Sequence, residues 1–144
     1  MSLDGAYDDG NIFARIIRGE APAAKVYEDD HILAFLDVFP QSTGHTLVIP
    51  KQDAARNLLE ADPTTLASLI VGVQRVTRAV REALKPDGIV VTQFNGAPAG
   101  QTVFHLHFHI IPSWDNVPLG RHAGGGMANP EELNSLAAAI AAKL

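Results

Sequence analysis

Residues 105–112 read His105-Leu106-His107-Phe108-His109-Ile110-Ile111-Pro112, and histidine alternates strictly with a large apolar residue from 105 to 110. A period of two belongs to a strand with one buried face, not to a helix. Leu106, Phe108 and Ile110 are expected to enter a core, and His105, His107 and His109 to line the opposite face. Same-face neighbours on a strand stand about 6.5–7 Å apart. The reading therefore places three imidazoles in a row on a rigid element.

Three uses of such a row are open from the residues alone. The central histidine could attack phosphorus while its neighbours orient it and neutralise phosphate oxygens. Two histidines could share a metal ion. All three could not, because the outer pair would lie roughly 13 Å apart, whereas two nitrogens on one zinc must approach within about 4 Å. A solvated polar face is the third use. Three of the 6 histidines falling in a five-residue window count against it.

Working outward, Gly96-Ala97-Pro98-Ala99-Gly100 precedes the histidines as a tight loop. Its glycines would let backbone amides approach an anion, with Gln101 and Thr102 adding donors. Such a loop is otherwise a plain hairpin. Ile89–Asn95 reads as a strand before it. Asp62-Pro63 opens a long helix, acid as N-cap and proline at the first helical position. Leu66, Leu69, Ile70, Val73, Val76, Val80 and Leu84 recur on one face, and Lys85-Pro86-Asp87-Gly88 stops it. Further back, Lys25–Glu28, Ile32–Asp37 and His45–Pro50 read as strands, with a hairpin turn at Glu28–His31. Asn11 caps a short helix, Ile12–Arg18, with Ile12, Phe13 and Ile16 on its apolar face. Asn129-Pro130 opens a last helix carrying Leu133, Leu136 and Ile140. Trp114 and the Gly124-Gly125-Gly126 loop lie between.

Strands joined by short turns, with helices packed on them, indicate an α+β domain. The expected sheet is a five-stranded antiparallel meander with a short N-terminal helix, a long central helix and a C-terminal helix. Residues 1–10 are expected to be a disordered tail, and 11–144 a single domain.

His105–Pro112 resembles the signature of the histidine triad (HIT) superfamily of nucleotide hydrolases and transferases. Two further runs carry the resemblance, Phe35-Leu36-Asp37-Val38-Phe39-Pro40-Gln41, which aligns without a gap, and Gly44-His45-Thr46-Leu47-Val48-Ile49-Pro50-Lys51. Asn95 and Gly100-Gln101-Thr102-Val103 match as well. The pattern is similar to small bacterial HIT proteins and the Hint and Fhit branches. It extends over most of residues 11–112 and leaves 113–144 as a variable region.

The resemblance implies a set of roles. His107 is the nucleophile at the α-phosphorus of a purine nucleotide derivative, giving a nucleotidyl-histidine that water hydrolyses to the nucleoside monophosphate. His105 and His109 support it, and His45 sits behind them in their hydrogen-bond network. Asn95, Gln101, Thr102, Val103 and His109 hold the phosphate. Ile12, Phe13, Ile16, Phe35, Asp37 and Val38 hold the nucleoside, with Asp37 on the ribose hydroxyls. An Asp beside a turn is also an ordinary turn-former, and the apolar residues are ordinary core. Hint-type proteins carry Ser where Thr102 stands. The Gln-Thr-Val form is similar to Fhit proteins, which cleave dinucleoside polyphosphates. Phosphoramidate and dinucleoside polyphosphate substrates therefore both stay open, as does a nucleotide-binding module without turnover. The scheme needs no metal or other cofactor, and the family implies a homodimer with joined sheets.

Composition narrows the frame. A length of 144 residues and 47% hydrophobic content suit one domain with a real core. A formal charge of −5 without a long basic run excludes a broad nucleic-acid surface. Cysteine is absent, which removes disulfides and the cysteine zinc site of some bacterial relatives. No apolar run approaches membrane-spanning length, and the acidic, polar start lacks the pattern of an export signal. A cytoplasmic setting is the expectation.

Overall fold

The computed structural model describes residues 2–121 and 126–144. Gly124 and Gly125 of the expected glycine loop lie outside the described residues. The elements run α1 (Ile12–Ile17), β1 (Lys25–Glu28), β2 (Ile32–Leu36), β3 (Thr46–Pro50), α2 (Pro63–Leu84), β4 (Gly88–Thr92), a 3-10 turn (Ala97–Ala99), β5 (Phe108–Ser113) and α3 (Pro130–Ala141). Local chemistry sets their ends. The Asn11 side chain accepts from the Ala14 amide at 2.9 Å. Asp62 accepts from the Thr64 amide at 2.8 Å ahead of Pro63. Such caps each contribute about 1 kcal/mol. Asp29 turns the β1–β2 hairpin, its carboxylate accepting from the His31 and Ile32 amides. No helix among the described residues is long and apolar enough to cross a membrane.

The five strands form one antiparallel sheet in the order β1-β2-β3-β5-β4. The α+β class with three helices is as expected, but the sheet is not a simple meander. The 22-residue α2 carries the chain across one face to the far edge, so β4 forms outside and β5 returns into the gap. Sequential strands pair by default only when the connection is short.

Strands β2 and β3 are buried along their whole length because both faces are covered. On one face, Ile32, Ala34, Leu36 and Val48 pack under α2 and α3, through residues such as Leu69, Val73, Leu133 and Ile140. On the other, Leu33, Phe35, Leu47 and Ile49 pack with Phe13 and Ile16 of α1. Helix α3 thus shares the main core with residues far upstream.

Two expectations are corrected. Residues 2–10 have no helix or strand, yet they are not a loose tail. The Arg56 guanidinium donates to the Ser2 and Ala6 carbonyls, Asn57 Nδ2 to the Leu3 carbonyl, and the Ala97 amide to Ser2 Oγ. Polar composition hid these long-range partners. The histidine strand is also shorter than its alternation suggests. Its ladder begins at Phe108, opposite Val48. Upstream, the Leu106 amide bonds to the Ala55 carbonyl instead of a strand neighbour. The facing holds: Leu106 and Ile110 are fully buried and Phe108 packs against the same core. The straight row of three imidazoles does not.

Candidate active site

Three adjacent strands each bring one polar residue to the same end of the sheet. Asp37 follows β2 and continues its ladder, its amide donating to the His45 carbonyl at 2.9 Å. His45 precedes β3, two residues from Leu47, which stands opposite His109 of β5. Asp37, His45 and His109 therefore share a face. His45 Nε2 lies 2.9 Å from His109 Nδ1 and 3.5 Å from Asp37 Oδ2.

The hydrogen bonds assign the ring protons. The Gln41 amide donates to His45 Nδ1 at 3.0 Å, so the His45 proton sits on Nε2. That proton is donated to His109 Nδ1, which leaves the His109 proton on Nε2. The donor atoms of Asp37, His45 and His109 lie within 4.8 Å of one another, close enough to suggest a metal. A cation would need the lone pair of His45 Nε2, and the Gln41 amide keeps that nitrogen protonated. The trio is wired as a hydrogen-bond chain.

His107 is wired from the other side. Its Nδ1 lies 2.7 Å from the His105 carbonyl oxygen and donates to it. The His107 lone pair is thereby placed on Nε2. The Phe13 ring meets His107 edge-on, centroids 4.9 Å apart, and His109 lies 4.9 Å away on the same measure.

His105 departs from its expected role. Its Nε2 donates to the Pro50 carbonyl at 3.0 Å, and its Nδ1 accepts from the Tyr7 hydroxyl at 2.6 Å. Burial holds this ring below the usual histidine pKa, partly offset by the Pro50 bond and by Asp53. With both nitrogens committed, His105 braces its neighbour through its carbonyl and has no donor left for a phosphate.

A cavity of about 760 Å³ opens beside these rings. All six expected nucleoside residues line it: Ile12, Phe13, Ile16, Phe35, Asp37 and Val38. His107, His109, Thr102 and Val103 line it too. Asp37 is half-buried and also forms its turn, Oδ1 accepting from the Phe39 amide at 2.8 Å. Volume and apolar lining are those of a small-molecule site.

Asn95 and Gln101 stand outside the described lining, and the side-chain amide of Gln101 is already used. Asn95 Oδ1 accepts from the Leu58 amide and from Gln93 Nε2. Gln101 is buried, donating to the Arg56 and Val103 carbonyls and accepting from the Gly96 amide. The glycine loop is no anion cradle either. Its amides donate inward, Ala99 and Gln101 to the Gly96 carbonyl and Gly100 to the Ala97 carbonyl. Gly96 and Gly100 permit this tight turn with φ of 88° and 111°.

Sequence reasoning missed two walls. Residues 21–24, between α1 and β1, line the cavity, as do Met127, Ala128, Pro130, Leu133 and Asn134. The Ala128 amide donates to the Val38 carbonyl at 2.8 Å, fastening this distant segment to the site. The apolar face of α3 was readable, but not what it covers. Trp114 is half-buried and bridges to Val117.

A family model described as HIT domain matches residues 18–116. A Hit-like protein involved in cell-cycle regulation from Bartonella henselae is 50% identical, superposes with a TM-score of 0.89, and is matched over 96% of this chain and 100% of that one. A hypothetical histidine triad nucleotide-binding protein from Sulfolobus tokodaii is 38% identical, with a TM-score of 0.82 over 91% of this chain and 89% of that one. The adenylylsulfatase HINT3 of Arabidopsis thaliana is 41% identical over 118 residues, 78% of this chain and 59% of that protein.

Proposed function

The chain belongs to the HIT family, and from that premise we propose that it is a nucleotide hydrolase or nucleotidyl transferase using His107 as nucleophile. The observation that carries this reading is the wiring of the cavity wall. His107 has its proton tied to the His105 carbonyl and its lone pair on Nε2, beside His109 with its proton on Nε2. A nucleophile and a donor thus share one wall, and the other walls are largely apolar.

The purine base and ribose occupy the apolar part, the base against Phe13, Ile16 and Phe35 and the ribose hydroxyls on Asp37. His107 Nε2 attacks the α-phosphorus, forming a P–N bond as the bond to the leaving group breaks. His109 Nε2–H and the Thr102 hydroxyl donate to the phosphate oxygens as charge develops there. A buried donor such as His109 is worth about 3–4 kcal/mol in this role, and the exposed Thr102 hydroxyl less. Water then cleaves the P–N bond, releases the nucleoside monophosphate and restores the lone pair. Phosphoramidate and dinucleoside polyphosphate substrates both suit this route, which draws on no cofactor. The nucleotide-binding and adenylylsulfatase descriptions of two relatives support a nucleotide substrate.

A homodimer is part of the proposal. Strand β4 is an open edge carrying the exposed apolar residues Val90 and Val91, a surface that monomers normally blunt. Sedimentation should give twice the monomer mass, and Val91→Lys should halve it.

The decisive experiment is a mass spectrum of protein quenched seconds after mixing with adenosine phosphoramidate, beside His107→Ala. An AMP adduct on the wild type alone is the expected result. Tight nucleotide binding without adduct or AMP release would replace the enzyme with a binding module. AMP release abolished by a chelator would replace it with a metal-dependent hydrolase.

A further inference from the structure

We propose that Tyr7, in the irregular segment before α1, is a positioning residue for this site, holding His105 and through it His107. The inference rests on His107 being the nucleophile.

The Tyr7 hydroxyl reaches across 98 positions of sequence to His105 Nδ1 at 2.6 Å. The His105 ring has one proton and one lone pair to satisfy while almost wholly buried, at 2% exposure. The Pro50 carbonyl takes the proton. The lone pair needs a donor, and Tyr7 supplies it, its ring meeting the His105 ring edge-on at 5.8 Å. With both nitrogens held, the ring cannot turn. The peptide of residue 105 is held with it, and its carbonyl is the acceptor that places the His107 proton on Nδ1. If the hydroxyl is lost, a buried lone pair faces no donor. The ring then shifts or admits water, and the carbonyl shifts with it.

The segment is built to keep Tyr7 in place. The Arg56 guanidinium, which donates to the Ser2 and Ala6 carbonyls, also lies 4.8 Å over the Phe104 ring, next to His105. The Arg56 carbonyl accepts from Gln101. One residue thus ties residues 2–6 to the segment just upstream of the nucleophile.

The test compares full-length wild type, Tyr7→Phe and Tyr7→Leu. Two readouts are needed: ¹⁵N spectra of the histidine ring nitrogens, and kcat and KM for AMP release from adenosine phosphoramidate. Tyr7→Phe keeps the ring and removes only the hydroxyl. It should move the His105 Nδ1 and His107 Nδ1 signals and lower kcat about 5- to 30-fold, because small misplacements of reacting groups are costly. KM should stay within about twofold, and Tyr7→Leu should be similarly slow. Unchanged ring signals in Tyr7→Phe would overturn the proposal. So would altered signals with wild-type kcat, or a defect confined to Tyr7→Leu, which would mean packing alone. An inactive wild type would defeat the reaction proposed above, while the ring signals would still decide whether Tyr7 holds the two histidines.

Discussion

His105 and His107 are the same residue type, two positions apart, and both are buried, at 2% and 5% exposure. One lines the cavity and the other does not. Both His105 nitrogens are bound by protein groups, Pro50 and Tyr7, whereas His107 commits Nδ1 to the backbone and carries its lone pair on Nε2. Gln101 and Thr102 repeat the contrast: a buried side chain bracing its own loop beside an exposed one lining the cavity. Residue type states what a side chain can do. Its existing partners decide what it is left to do.

The largest test of this division is His107→Ala, which should lower AMP release by about 10⁴-fold or more, as loss of a covalent nucleophile does. Single-turnover kinetics would measure it, and a defect under about tenfold would erase the distinction between the two histidines. His109→Ala should cost about 10²–10³-fold in kcat, the usual effect of removing one donor from a developing oxyanion. Thr102→Val should cost less, because its exposed hydroxyl is easily replaced by water.

On the bracing side, Gln101→Ala should act first on stability. It strips partners from the buried Gly96 amide and the Arg56 carbonyl, costing about 1–3 kcal/mol in urea unfolding. A large fall in kcat at unchanged stability would instead put Gln101 in contact with substrate. The smallest effect concerns His105 and pH. Burial lowers its pKa in the folded state, so on acidification the unfolded chain takes up this proton first. The stabilisation is complete above about pH 6.5, the ordinary histidine value, and is lost as pH falls from there toward the folded-state pKa. Urea midpoints at pH 7.5 and 5.5 should therefore fall more in wild type than in His105→Gln. Parallel slopes would contradict a buried neutral ring.

Much of the site was legible because neighbouring residues in the sequence carry it. The alternation over 105–110 gave the buried faces of Leu106 and Ile110 correctly, since side-chain direction along an extended chain is a local property. The proline–acid pair at Asp62-Pro63 and the cap at Asn11 marked their helices for the same reason. The six residues expected around the nucleoside do meet at one cavity, although they come from two separate stretches. The failures share a cause. Gln101 has the chemistry of a phosphate ligand, and nothing local reveals that Arg56 and Gly96 already occupy it. The strand order failed because α2 allows β4 to skip a position.

The sequence by itself determined the element types, the family pattern and the chemical repertoire of the histidine stretch, all of which depend on short-range periodicity and residue identity. Only the tertiary structure decided which nitrogen of His45, His105, His107 and His109 carries its proton. That depends on Gln41, Pro50, Tyr7 and a backbone carbonyl, partners that chain closure brings within 3 Å. The tertiary structure also decided that residues 127–134 complete the cavity wall. A hydrogen bond needs a donor and an acceptor at one point in space, and spacing along the chain carries no record of that meeting.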